Sequence, residues 1–148
     1  MLLTACSGQA GTSSKSSTES VKTVSLNKLV LTAIDTEDII HQMSAGAEVT
    51  SFETPCKSVA GFVAAGDEVV IRDSDERVVA EGHLGPGLYG NDEGGNSIPL
   101  DEVPCVFEFT IANVPLADHR YEVRIGDNTP VEMTRMELAN SGEDIVID

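Results

Sequence analysis

Three cysteines, three histidines and two acid-rich turns are the residues of this 148-residue chain whose chemistry could be put to use, and their spacing decides how. Cys6, Cys56 and Cys105 form no Cys-x-x-Cys pair, and no histidine stands at ligand spacing from any of them, which argues against a zinc site. Asp73-Ser-Asp-Glu and Asn91-Asp-Glu-Gly-Gly-Asn could each turn oxygens towards Ca²⁺. In the first, however, Arg77 falls at the fifth ligand position of an EF-hand loop and no glutamate occupies the twelfth. His41, His83 and His119 are scattered, and only His119 has a carboxylate beside it, that of Asp118. No Gly-x-Ser-x-Gly elbow presents a serine nucleophile. Gly85-Pro-Gly-Leu-Tyr-Gly lacks the strand-then-helix setting of a phosphate loop. With no tryptophan and only Tyr89 and Tyr121, there is no stacking platform for bases or sugars. The expectation is a protein without catalytic residue, metal or cofactor.

The element that must organise these residues is the stretch Gly66 to Leu84, where two Val/Ile-rich runs flank an acidic tip. Such runs around a polar cluster signal a β-hairpin. A two- or four-residue loop would set Arg72 opposite Arg77, a like-charge pair. A three-residue loop sets Asp73 opposite Arg77 and Ile71 opposite Val79, and is preferred.

Other elements follow the same periodicities. Val21 to Thr32 reads as a long strand whose apolar parity slips around Asn27 and Lys28, as a bulge there would cause. Asp35 caps a short helix that has acids in its first turn, Ile39 and Met43 one turn apart, and Gly46 as its stop; His41 faces solvent. Ala47 to Phe52 reads as a short strand ended by Thr54-Pro55. Gly85 to Pro99 is crowded with glycine and proline and reads as the longest loop. Cys105, Phe107, Phe109 and Ile111 share one face of a strand that turns Val106, Glu108 and Thr110 outward. Tyr121, Val123 and Ile125 point inward from the next strand, with Glu122 and Arg124 outward. Thr134-Arg-Met-Glu-Leu is a capping-box pattern, and Ile145-Val-Ile closes the chain as a last strand. About seven short strands with one or two short helices predict an all-β fold, a single β-sandwich of immunoglobulin-like or transthyretin-like type. It spans residues 21–148.

Composition narrows the partners. Nine basic against 25 acidic residues give a net charge of -16, which repels nucleic acid and anionic lipid. No run of 18 apolar residues is present to cross a membrane. Met1-Leu-Leu-Thr-Ala-Cys6 resembles the end of a bacterial lipoprotein signal peptide, with Leu3, Thr4 and Ala5 as lipobox and Cys6 as the lipidated residue. The charged n-region and most of the apolar h-region of that pattern are missing from the six residues. Ser7 to Ser20, rich in serine and glycine, reads as a flexible tether spanning about 20 Å. With Cys6 claimed by lipid, Cys56 and Cys105 remain as an even pair in an exported domain, which implies a disulfide. Closing a loop of that length stabilises by up to about 4 kcal/mol.

Taken together, the lipobox, the tether, Cys56, the hairpin, Cys105-Val-Phe-Glu-Phe, Val114-Pro115, Tyr121-Glu-Val and the Thr134–Leu138 turn resemble a group of small actinobacterial surface lipoproteins. The likeness covers residues 56–148 best; Ala33 to Thr54 and the glycine-rich loop fit it poorly. It implies architecture and an extracytoplasmic, lipid-anchored address, and no activity. The functional expectation is a non-enzymatic surface module, bound to the membrane through Cys6, that contacts a surface or secreted protein. Its contact place is the 85–99 loop, with Leu88, Tyr89, Asn91, Asp92 and Glu93 as binding residues. The alternative is an extracytoplasmic enzyme or ligand sensor using that same loop.

Calcium titration checks the reading of the acidic turns. Because neither turn converges its ligands, calorimetry should give only weak binding, and a dissociation constant below about 10⁻⁵ M, where sensor sites lie, would refute it.

Overall fold

The computed structural model describes residues 22–50, 52–90 and 102–148. The expectations placed on residues 1–21 and on Asn91, Asp92 and Glu93 fall outside those residues. Among the described residues eight strands form two four-stranded sheets, with two short helices, so the fold is the expected all-β sandwich. The elements run β1 (Thr23–Ala33), α1 (Thr36–Ser44), β2 (Glu68–Arg72), β3 (Val78–His83), β4 (Leu88–Tyr89), β5 (Pro104–Pro115), β6 (Arg120–Ile125), β7 (Val131–Thr134), α2 (Arg135–Ala139) and β8 (Ile145–Ile147). One sheet has the order β4-β5-β1-β8, the other β3-β2-β6-β7. All pairings are antiparallel except β1 with β8. Their facing sides bury Leu26, Val30, Val69, Ile71, Phe107, Phe109, Tyr121, Val123 and Ile125, the alternate residues that a strand period of two directs to one face.

In β1 the expected bulge at Asn27 and Lys28 is corrected. Register runs unbroken from Leu26 to Ala33, and the irregularity lies between Val24 and Leu26. There the extra residue belongs to β5: Val24 pairs with Val114 and Leu26 with Ile111, and Asn113 takes a left-handed φ of 59°. The bulge carries the inward parity of β5 from Ile111 to Val114. Lys28 breaks the apolar alternation of β1 because its side chain points inward and is fully buried, at 0% exposure.

That buried ammonium is satisfied by three backbone carbonyls. Lys28 Nζ donates to the carbonyl oxygen of Glu137, to that of Asn140 at 2.5 Å and to that of Glu143 at 2.8 Å. These carbonyls belong to the end of α2 and the turn leading to β8, groups that a helix terminus leaves without intrahelical partners. Burial lowers the lysine pKa, and the charges of Glu143, Asp144 and Glu137 oppose that shift. Inside the sandwich the lysine thus fastens α2 and the chain entering β8 to β1.

The hairpin forms with its acidic tip. The Asp73 N–H donates to the Arg77 carbonyl at 2.9 Å, so the three-residue loop 74–76 is as expected. Its second pairing is corrected: Arg72 pairs with Val78 and Ile71 with Ala80, leaving Val79 as the bulged residue. Glu76 closes the turn at φ 64°, the left-handed position usual in three-residue hairpin loops.

Helix α1 starts at Asp35, whose carboxylate accepts the Asp38 N–H at 3.3 Å. It ends in a Schellman turn: Ala47 N–H donates to Gln42, Gly46 N–H donates to Met43, and Gly46 has a φ of 92°. Ile39 is buried, whereas Met43, expected one turn along the same face, is exposed. The strand expected over Ala47 to Phe52 is also corrected. Residues 47–50 pair with no strand and Phe52 enters a turn at φ 61°. In its place the glycine-rich stretch supplies β4, which pairs with β5. Val106, expected to face outward, does so but is covered to 8% exposure.

Replacement of Lys28 by methionine keeps the stem and removes the three donors. Taking that donor from the buried carbonyls should cost roughly 2–4 kcal/mol and be read as a lower denaturation midpoint with an unchanged slope. An equally stable Lys28→Met protein would refute the latch.

Candidate functional site

Cys56 and Cys105 form a disulfide, with their α-carbons 5.8 Å apart. The bond ties the segment before the hairpin to the inward face of β5. Beside it, Gly87 runs so close to β5 that a β-carbon would lie 2.7 Å from Phe107 Cζ and 2.9 Å from Cys105 Sγ. Cys56 N–H donates to the Gly87 carbonyl at 3.0 Å, Tyr89 N–H to Thr54 at 2.8 Å and Phe52 N–H to Tyr89 at 2.7 Å. The first part of the supposed binding loop is therefore stitched on both sides. Tyr89 is only 9% exposed and belongs to the core, while Leu88 is half-buried.

At the other end of the sandwich the hairpin tip docks on the connection between β5 and β6. Asp118 holds the junction. One oxygen of its carboxylate accepts the Ser74 backbone N–H at 2.9 Å and a short bond from the Ser74 hydroxyl; the other accepts the His119 N–H at 3.0 Å. Its own N–H donates to Tyr121 Oη at 2.7 Å. The buried Tyr121 ring thus fixes the loop, and the loop fixes the hairpin. This is the arrangement of a tyrosine corner, in which a tyrosine at a strand start bonds the backbone just upstream.

Two shallow grooves of about 210 and 340 Å³ flank this junction and share Asp73, Ser74 and Tyr121. Several of their polar groups are already committed to one another. Asp73 accepts the N–H groups of Asp75 at 2.9 Å and Arg77 at 3.0 Å, which makes it the keystone of the turn. Arg77 pairs with Asp75 at 2.9 Å and Asp73 at 3.6 Å, and Arg120 pairs with Glu132 at 3.3 Å. These exposed pairs each contribute little to stability. The acidity of the tip follows from turn geometry.

Ser74, Asp118 and His119 are close together yet do not form a catalytic set. The serine hydroxyl donates directly to the aspartate, and His119 bonds this site through its backbone N–H. The bonds from the Ser74 side chain and backbone hold the Asp118 carboxyl below its ordinary value of 3.8, with the His119 backbone bond adding to the effect. Such a carboxylate is a weak base and cannot take the serine proton near neutral pH. His41, His83 and His119 all lie exposed and apart, and no cluster of three His, Cys, Asp or Glu groups fit to hold a metal occurs among the described residues.

Sequence reasoning missed the docking of Ser74 on Asp118, which are 44 residues apart. The one signal that could have found it was Tyr121 at the start of an inward-facing strand, three residues after Asp118.

A depressed folded-state pKa contributes stability above the unfolded value and loses it as pH falls through the folded one. The Asp118 junction should therefore hold at neutral pH and open only below about pH 4, towards the depressed pKa. Protection of the Ser74 amide, taken relative to its intrinsic exchange rate at each pH, should fall several-fold there, and Asp118→Asn should lower it already at neutral pH. Unchanged exchange in that variant would refute the junction. Comparison of the chain with protein-family models, curated proteins and solved structures gave no match.

Proposed function

We propose that the protein is a non-enzymatic module of the bacterial cell surface, lipid-anchored through Cys6, which contacts a surface or secreted protein with the end of the sandwich that points away from the anchor. The disulfide supports an oxidising, extracytoplasmic address. The observation that carries the reading is the opposition of the two ends. Thr23 pairs with Pro115 at one end of the first sheet, so β1 begins there, beside the Asp118 junction. Ala33 pairs with Pro104 at the opposite end, where α1 and the turn carrying Val59 and Phe62 follow. Five of the eight exposed large apolar side chains among the described residues lie at that far end: Ile40, Met43, Phe52, Val59 and Phe62. Exposed apolar groups gathered on one side of a highly charged protein are a mark of interaction surfaces.

Detergent partitioning tests the anchor. Expressed in a bacterial host behind a complete lipoprotein signal, the protein should enter the detergent phase, and Cys6→Ser should leave it in the aqueous phase. Equal partitioning of the two forms would overturn the anchor, and turnover of an ester, peptide or glycoside substrate would overturn the non-enzymatic reading.

A further inference from the structure

We infer that the free edge of β8 is a docking site for an extended protein segment with a basic residue at each end of a short apolar core, added as a fifth strand to the sheet. The inference rests on the reading of the protein as a binding module, and it names the surface and the chemistry of the partner.

Register gives the first argument. Leu88 pairs with Val106, Val106 with Leu31 and Leu31 with Val146, so one apolar row crosses all four strands on the outer face of the sheet. The row ends on β8, the outermost strand among the described residues, where Val146 is 57% exposed. A groove of about 360 Å³, floored by Leu31, Val103, Pro104 and Val146, opens on that face. A second, of about 260 Å³, runs between Ile147 and the Pro130–Val131 edge of the other sheet. Val146 and Asp148 line both grooves, which therefore meet at this strand. A strand edge with side-chain grooves beside it suits strand addition, since backbone bonds supply affinity and alternate side chains supply specificity.

Charge gives the second argument. The strand reads Asp144-Ile-Val-Ile-Asp148, with Ile145 and Ile147 buried and Asp144, Val146 and Asp148 exposed. Glu102 and Asp148 are the charged residues lining the grooves, and neither lysine nor arginine lines either. A second copy of this chain does not fit. Antiparallel pairing of two β8 strands about Val146 would set Asp144 opposite Asp148 twice, and like charges directly opposite are destabilising. A partner strand fits when it is the charge complement: basic residues opposite Asp144 and Asp148, an apolar residue over Val146, and small or apolar residues beside Ile145 and Ile147. Because the pattern is symmetric, it holds for either strand direction.

The test uses the full chain, isotopically labelled, and the capped peptide Gly-Lys-Thr-Val-Thr-Lys-Gly. Titration should shift the amide signals of residues 144–148 together with those of Leu31 and Val131. Replacing both peptide lysines by glutamate should weaken binding by roughly tenfold or more, as should proline for the central valine, which removes a backbone donor. The Asp148→Lys protein, changed at an exposed side chain, should lose its preference for the lysine peptide over the glutamate peptide. Shifts elsewhere, no binding, or binding indifferent to the proline would overturn the inference, the last because it would reduce the contact to charge attraction alone. Because the readout is binding at β8, failure here leaves the partitioning result standing, and failure of the anchor leaves this titration standing.

Discussion

The protein depends most on one buried cation. Lys28 lies on the inner face of β1, in line with Leu26, Val30 and Thr32, a position that in an ordinary sandwich would hold an apolar side chain. A charge taken out of water costs several kcal/mol unless it is fully hydrogen-bonded. Here the three ammonium protons match three carbonyls from Glu137, Asn140 and Glu143. The satisfaction is mutual, because those carbonyls lie where α2 ends and its own ladder stops. The helix start is prepared separately. Thr134 and Glu137 cap each other reciprocally, and the bonds from Thr134 hold the Glu137 carboxyl below its ordinary range. A five-residue helix has little stability of its own. It persists because one end is capped by its own residues and the other by a lysine more than a hundred positions away.

The disulfide acts on the opposite edge of the same sheet. Cys105 is inward on β5, and Cys56 reaches it from a segment without strand pairing of its own beyond isolated bridges. Around that bond the backbone is packed so tightly that Gly87 admits no side chain. The first sheet is therefore closed at one edge by a covalent bond and a two-residue strand, while at its other edge β8 pairs, among the described residues, only with β1. That asymmetry is what makes β8 the edge proposed to receive another strand.

The two ends of the sandwich differ as strongly as its edges. At the end where β1 begins, polar groups are paired: Ser74 with Asp118, Asp73 with its own turn, Arg120 with Glu132. At the far end apolar side chains stay exposed on α1 and on the turn after Ser58. Paired polar groups fix a loop geometry, and unpaired apolar surface leaves free energy to be gained on contact with another molecule.

Much of this was legible from local pattern. The alternation at Cys105–Phe109 and Tyr121–Ile125, the Thr134 capping box, the Asp35 cap and the hairpin loop all depend on residues within a few positions of one another, and backbone geometry sets those periods. The cysteine pair was legible from parity and count. What only the tertiary structure decided involves groups distant in sequence. A lysine in a strand looks like a break in alternation until the three carbonyls that receive it are seen. A bulge can be assigned to β1 or to β5 only when the two strands are paired. The glycine-rich stretch became β4, and Tyr89 became core, because Cys56 and Thr54 supply hydrogen-bond partners that glycine spacing does not reveal. Ser74 and Asp118 likewise became a junction and not a catalytic pair. The sequence determined the alternation along each strand, since a period of two is a local property of the backbone; tertiary structure decided which unpaired polar groups meet, since that depends on how the sheets stack.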